Sequence, residues 1–121
     1  MKILRTAVFI TLIWFPLAWA QAEDYTQEQW VGYVNRTFPG VFCGVDQYFR
    51  KCFEADEAEC KDRVLSVIEE CIEKSILEIP EELSFDQRRH WGSVIEKCVE
   101  KDYVSSYADF LIDSDECKGA R

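Results

Sequence analysis

Apolar residues recur at helical spacing in three stretches of the chain, and turn-forming residues separate the stretches. The first stretch follows Thr26 and Gln29, which have the spacing of a capping box at a helix start. Pro39 and Gly40 are expected to end this helix. Its apolar face is formed by Trp30, Val31, Val34 and Phe38.

The second stretch is the longest. Asp56 and Glu59 predict a second capping box, and Pro80 is expected to stop the helix. One half of the helix is polar, so the pattern predicts an amphipathic helix packed on a core along one stripe. The apolar half consists of Cys60, Val64, Val67, Ile68, Cys71, Ile72, Ile76 and Ile79.

The third stretch begins at Ser84 and Gln87, which predict a third capping box. Its apolar positions are Trp91, Val94, Ile95, Cys98 and Val99. A last short helix is predicted around Tyr103, Tyr107, Phe110 and Leu111. We also expect a loop at residues 39–45 and a short helix at about 46–53. Because no segment alternates with a period of two residues, the predicted fold class is all-α, a small bundle of four to five helices.

The N-terminal segment has the order of a secretory signal peptide. Lys2 and Arg5 precede an apolar run, and Ala18-Trp19-Ala20 resembles a cleavage site. The run is shorter than the roughly 20 residues that a spanning helix needs. We therefore expect residues 1–20 to be removed and residues 21–121 to form a single domain.

All six cysteines lie in the expected mature chain: Cys43, Cys52, Cys60, Cys71, Cys98 and Cys117. An even number in an exported protein predicts three disulfides. Eleven helical steps separate Cys60 from Cys71 by roughly 16 Å, too far for a bond. The pair Cys43 and Cys52 is excluded in the same way.

An antiparallel helical hairpin with its turn near residues 54–56 would place Cys43 opposite Cys71 and Cys52 opposite Cys60. The remaining pair would be Cys98 with Cys117. These three disulfides are the predicted connectivity.

The charge balance narrows the possible partners. The chain has a net charge of −9, and removal of the signal peptide changes it to −11. Such a charge repels nucleic acid and anionic membranes, which are bound through basic surfaces. The expected partner is another protein, and the negative charge would suit a basic one.

No motif predicts catalysis or a cofactor. The chain has neither the short C-x2-4-C spacing of zinc sites nor the C-x-x-C of redox centres. His90 is the only histidine, and no nucleophile motif accompanies it. The acidic C-terminal residues do not have the spacing of a calcium loop. We expect no catalytic residue, no metal and no cofactor.

Two groups of residues are candidate contacts for a partner. The apolar segment Phe38–Val45 is either core or an exposed patch, and aromatic residues of the kind that anchor interfaces lie beside it. The second group is the one basic cluster in an acidic chain, which suits an anionic group. The predicted partner-binding residues are Phe42, Tyr48, Phe49 and Phe53 in the first group and Arg88, Arg89 and His90 in the second.

The sequence therefore predicts an exported, non-enzymatic protein-binding module, such as an inhibitor, an immunity factor or an accessory factor. It would act in a bacterial periplasm or outside the cell. A carrier of a small apolar ligand, held between the first, second and third long helices, is the alternative. A hydrolase-type enzyme is the third possibility. The pattern leaves the oligomeric state open.

Overall fold

Three long helices form the body of the computed structural model, which describes residues 23–119. The predicted signal peptide, residues 1–20, lies outside the described part. In chain order the helical elements are α1 (Gln27–Phe42), α2 (Tyr48–Lys51), α3 (Glu57–Ser75), α4 (Phe85–Ser106), a 3₁₀ turn (Ala108–Phe110) and α5 (Asp115–Gly119). The predicted all-α bundle with three disulfides is confirmed. No helix within residues 23–119 has the length and apolar character needed to cross a membrane.

Side-chain caps start the long helices where the sequence predicts them. Thr26 and Gln29 form both hydrogen bonds of a capping box at α1. Ser84 and Gln87 do the same at α4. At α3 the Asp56 carboxylate accepts from the Glu59 N–H at 2.8 Å, without the reciprocal bond. Each cap satisfies backbone N–H groups that have no partner inside the helix.

The core is built around α3, which packs against α1 on one side and α4 on the other. Its apolar stripe is buried as predicted, with Ile76 partly buried at the end. From α1 and α4 the core receives Trp30, Val34, Ile95, Val99 and Tyr103, each no more than 2% exposed. The interior between the three helices is therefore filled by side chains.

A two-stranded ladder joins the N-terminal ends of α1 and α4. The strand β1 (Tyr25–Thr26) pairs antiparallel with β2 (Glu82–Leu83), and the sequence pattern did not predict either strand because each has only two residues. Gln27 reinforces this junction. Its side-chain amide donates to the carbonyls of Ile76 at 3.0 Å and Ile79 at 2.8 Å, which fixes the turn after α3.

The ends of all three long helices differ from the prediction. The helix α3 ends at Ser75, five residues before the proline that was expected to stop it, so Ile76 and Ile79 belong to the turn that follows. The helix α1 continues through Pro39 and ends at Phe42, so residues 39–42 are not a loop. A proline removes one backbone hydrogen bond from a helix, and here the Pro39 ring is buried in compensation while its carbonyl accepts from the Cys43 N–H. Tyr103 belongs to α4, which is longer than predicted and ends at Ser106.

The disulfides of the structure are Cys43–Cys60, Cys52–Cys117 and Cys71–Cys98. The predicted pairs Cys43–Cys71, Cys52–Cys60 and Cys98–Cys117 are therefore wrong, whereas both exclusions hold. The hairpin assumption failed because α2 has only four residues and cannot lie along α3.

The observed pairs follow from the positions of the helices. Cys43, at the end of α1, meets Cys60 in the first turn of α3. Cys71 and Cys98 join α3 to α4. Cys52 pairs with Cys117 because the C-terminal segment returns over residues 52–54, where Ile112 N–H donates to Cys52 O at 2.8 Å.

Replacing Cys71 and Cys98 together by alanine tests this connectivity. We expect a loss of about 3–4 kcal/mol in the free energy of unfolding, since one loop closure disappears. We also expect no free thiol, because the other four cysteines remain paired. The measurements are denaturant unfolding and thiol titration of the unfolded, unreduced protein.

The predicted hairpin pairing gives a different count for the same variant. Cys43 and Cys117 would then have lost their partners, and the titration would find two thiols per chain.

Candidate functional site

A surface groove of about 680 Å³ opens between the end of α1, α2 and the middle of α4. We call it the aromatic groove. Its wall and floor consist of Phe38, Val41, Phe42, Gln47, Tyr48, Phe49, Glu96, Glu100, Lys101 and Val104.

Stacked rings support the floor of the groove. The Phe42 ring stacks on Phe49 with centroids 5.3 Å apart, and Phe49 stacks on Tyr103 at 3.9 Å. Phe42 reaches this stack because α1 continues through Pro39. The disulfides of Cys43 and Cys52 flank the segment that carries Phe49, so the floor is attached to α3 and to the C-terminal segment.

Charged groups of α4 line one side of the groove. Glu96 and Glu100 are exposed and lie one helical turn apart, with Lys101 beside them. None of the three belongs to an ion pair within residues 23–119. The side formed by α4 is therefore acidic and free to meet cations of a ligand.

The structure brings three of the four predicted aromatic residues together in this groove. Phe42 and Tyr48 are partly exposed, and Tyr48 donates its hydroxyl proton to the Cys117 carbonyl at 3.3 Å. Phe49 is 3% exposed and forms the deep part of the groove. Phe53 is 1% exposed and packs edge-on against Tyr103. Phe53 is therefore a core residue and does not line the groove.

Sequence reasoning missed the α4 side of the groove. Val104 and the two glutamates lie more than forty residues from the aromatic segment along the chain, and only the packing of α1 and α4 on α3 brings them close. Val41 could have been predicted as a contact residue from the sequence, since it lies in the apolar segment Phe38–Val45. It is 61% exposed and lines the groove.

A second, smaller cavity of about 440 Å³ lies at the N-terminal end of α4. We call it the arginine pocket. The Arg88 guanidinium lies 4.0 Å from the Tyr25 ring centroid and 5.7 Å from that of Phe85. Arg89 lies 5.9 Å from Phe85. The lining residues are Tyr25, Trp30, Tyr33, Phe38, Phe85, Arg88, Arg89 and Gly92.

The three predicted basic residues differ in their surroundings. Arg88 is partly buried, and its Nε is buried without a hydrogen-bond partner among the described residues. Arg89 is exposed at the mouth of the pocket. His90 is exposed, lies edge-on to Trp91 at 5.3 Å and does not line the pocket. Two of the three residues are thus brought together.

Phe38 lines both cavities and separates them. Its ring lies over Gly92, where an added Cβ would be 3.9 Å from Phe38 Cζ, an ordinary contact distance. The aromatic groove and the arginine pocket are therefore neighbours along the seam between α1 and α4.

Cys71, Cys98 and Asp102 bring three potential ligand atoms together between α3 and α4. The sulfurs of Cys71 and Cys98 lie 3.8 and 3.7 Å from Asp102 Oδ2. The two sulfurs are bonded to each other, so neither is a thiolate that could bind a metal. Asp102 instead pairs with Lys74 at 2.6 Å, which raises the pKa of that lysine through the hydrogen bond and the nearby charge.

Tyr103 is titratable, and its ring supports the floor of the groove through the stack with Phe49. Its hydroxyl is buried without a hydrogen-bond partner among the described residues. Burial raises the pKa of Tyr103 above its ordinary value of 10.0, although the neighbouring Arg63 guanidinium acts in the opposite direction. The neutral phenol is therefore favoured in the folded protein.

The fold and these two cavities belong to a small, disulfide-bonded helical protein. A family model described as T2SS substrate NttA matches residues 24–110, and the chain belongs to this family. The match includes both cavities. Because the family is named for a substrate of the type II secretion system, membership shows an exported protein, in agreement with the disulfides. No curated protein and no solved structure matches the chain.

Replacing Tyr103 by phenylalanine is expected to change the free energy of unfolding at pH 7 by less than about 1 kcal/mol. The substitution keeps the stacked ring and removes an unpartnered hydroxyl, so a small gain is the expected direction. The measurement is denaturant unfolding. A loss above about 1 kcal/mol would show that the hydroxyl is hydrogen-bonded in solution.

The pH dependence supplies a second readout. Since the folded-state pKa is raised, the contribution of Tyr103 is complete below pH 10.0 and declines as the pH rises further. The wild type should therefore lose stability above pH 10 relative to Tyr103→Phe. Parallel curves for the two proteins would contradict the raised pKa.

Proposed function

We propose that this protein is a non-enzymatic binding protein that acts outside the cell and holds an apolar segment of another protein in the aromatic groove. The observation that carries the proposal is the groove itself, an aromatic floor that stays open at the surface. Concave surfaces with apolar walls and a few polar groups are the places where proteins commonly bind ligands.

The shape of the groove supports an anchored contact. Phe42 and Tyr48 are accessible, whereas Phe49 and Tyr103 below them are fixed in the core. Rigid aromatic side chains bind with little loss of conformational entropy and dominate many interfaces. An apolar side chain of the partner would enter between Val41 and Val104.

The charge of the site supports a basic partner. Glu96 and Glu100 border the groove, and the chain carries 23 acidic residues against 14 Lys and Arg. Complementary charge of this kind steers association and selects among partners. The preferred segment would carry lysine or arginine next to its apolar anchor.

The proposal also states that the protein acts outside the cell and that it is not an enzyme. The family description names a secretion substrate, which supports action beyond the outer membrane rather than in the periplasm. His90, the one histidine of the chain, lies away from the groove. A role as inhibitor, immunity factor or accessory factor fits a binding surface of this type.

The second candidate function is transport of a small apolar ligand. The volume of about 680 Å³ supports it, since ligand sites commonly occupy 300–1,000 Å³. The site differs from the one expected from the sequence, because the groove lies on the outside of the bundle between α1, α2 and α4. A carrier would retain a molecule of low mass after purification from the exported fraction.

A photo-crosslinking amino acid at Val41 tests the binding role in the exported fraction of the producing cells. We expect one protein adduct from this position and none from Leu77, which is 98% exposed on the turn after α3. The substitutions Glu96→Lys and Glu100→Lys are then combined with the crosslinker at Val41. They should reduce the yield of the adduct at least about fivefold, because a basic partner is then repelled.

The matched control is Glu69→Lys with Glu73→Lys. These two residues are exposed on α3 with the same spacing and change the net charge equally. Equal adduct yields from both double variants, or an equal yield from Leu77, would refute docking in the groove. Native mass spectrometry that finds a small bound molecule instead would favour the carrier.

A further inference from the structure

We infer that the arginine pocket is a binding site for a carboxylate carried on an apolar group, such as an acidic peptide segment with a neighbouring aromatic side chain. This site is separate from the aromatic groove, and the inference does not depend on the proposed function.

The first observation is that the pocket arginines are free of ion pairs. The chain has 23 acidic residues, yet none of the ion pairs within residues 23–119 involves Arg88 or Arg89. Both cations lie in the first half of α4, where the helix dipole does not favour positive charge. The positive charge of both side chains is therefore available to an anion that enters the pocket.

The second observation is the state of the Arg88 side chain. The Tyr25 ring at 4.0 Å and the Phe85 ring at 5.7 Å hold its guanidinium by cation–π contacts. Its Nε–H is buried with no acceptor among the described residues, which costs free energy. The terminal nitrogens of Arg88 are not among the buried unpaired atoms and form no hydrogen bond within the described residues. A carboxylate in the pocket would accept from these nitrogens in a charge-assisted hydrogen bond.

The third observation is the apolar wall beside the charges. Phe85 is 54% exposed and Tyr33 is 45% exposed, although both are large apolar side chains. The pocket volume of about 440 Å³ admits a group of the size of an aromatic ring. A ligand that carries only a charge would leave these rings uncovered, so the preferred ligand has an apolar body.

The net charge favours a carboxylate over a phosphate. A phosphate group brings nearly two negative charges at neutral pH, whereas a carboxylate brings one. Repulsion by a protein of net charge −9 increases with the charge of the ligand. The planar guanidinium also matches the flat carboxylate in a bidentate contact.

NMR titration of the full mature protein with 3-phenylpropionate tests this site. We expect saturable shifts of the signals of Tyr33, Phe85 and Gly92. The neutral analogue 3-phenylpropanamide should bind at least about tenfold more weakly, because it lacks the charge. Arg89→Gln should weaken 3-phenylpropionate binding at least about fivefold, and so should Arg88→Lys, which keeps the charge but lacks the guanidinium.

The matched control is Lys97→Gln. Lys97 is exposed on α4 without an ion pair in the described chain, and its replacement removes the same charge as Arg89→Gln. It should change the affinity less than twofold. An unchanged backbone spectrum away from the pocket shows that each variant is folded.

Four results would overturn the inference. The first is equal affinity for the acid and the amide. The second is an equal effect of Arg89→Gln and Lys97→Gln. The third is a set of shifts at Val41 and Val104 in place of the pocket. The fourth is tighter binding of inorganic phosphate than of 3-phenylpropionate. The crosslinking test of the groove uses a different site and a different readout, so the two proposals can fail independently.

Discussion

The buried stripe of α3 is the constraint on which the rest of the structure depends. Both other long helices pack on this stripe, and a disulfide fastens each of them to it. Cys60 is bonded to Cys43 at the end of α1, and Cys71 is bonded to Cys98 in α4. A chain of this size buries a modest core, so these covalent contacts supply a large part of its stability. The surface sites exist because α1 and α4 are fixed on α3 at this separation.

The two cavities are consequences of the same arrangement. The β1–β2 ladder joins α1 and α4 at their N-terminal ends, and Phe38 crosses the seam at Gly92. One cavity lies on each side of that ring. The cavity toward the N-terminal ends is basic and the other is acidic, so a protein with a large negative net charge presents two chemically different surfaces side by side.

The long helices were predictable because their apolar residues repeat at the helical period and Thr26, Asp56 and Ser84 mark their starts. These signals are local. The disulfide pairs were predicted incorrectly because they depend on how far each helix extends, and the length of α2 is not encoded in the cysteine spacing. The end of α1 was misplaced for a related reason, since a buried proline such as Pro39 is tolerated near a helix end when packing compensates for its lost hydrogen bond.

The candidate site was predictable to a similar degree. The apolar segment around Phe42 and the basic residues Arg88 and Arg89 stood out by composition alone. The opposing wall of the groove did not, because Glu96, Glu100 and Val104 form an ordinary amphipathic pattern on α4. Phe53 shows the converse case. Its type and position resemble those of Tyr48, and only burial under the C-terminal segment separates the core residue from the surface residue.

The connectivity of the disulfides has a consequence for how the protein is made. Pairing the cysteines two by two in chain order would join Cys43 to Cys52, Cys60 to Cys71 and Cys98 to Cys117, and none of these bonds is native. If the cysteines were oxidised in the order in which they enter an oxidising compartment, the chain would therefore form non-native disulfides. The native bonds require either that the helices form before oxidation or that an isomerase exchanges the early bonds. In both cases Cys52 cannot form its native bond until the C-terminal segment with Cys117 is present.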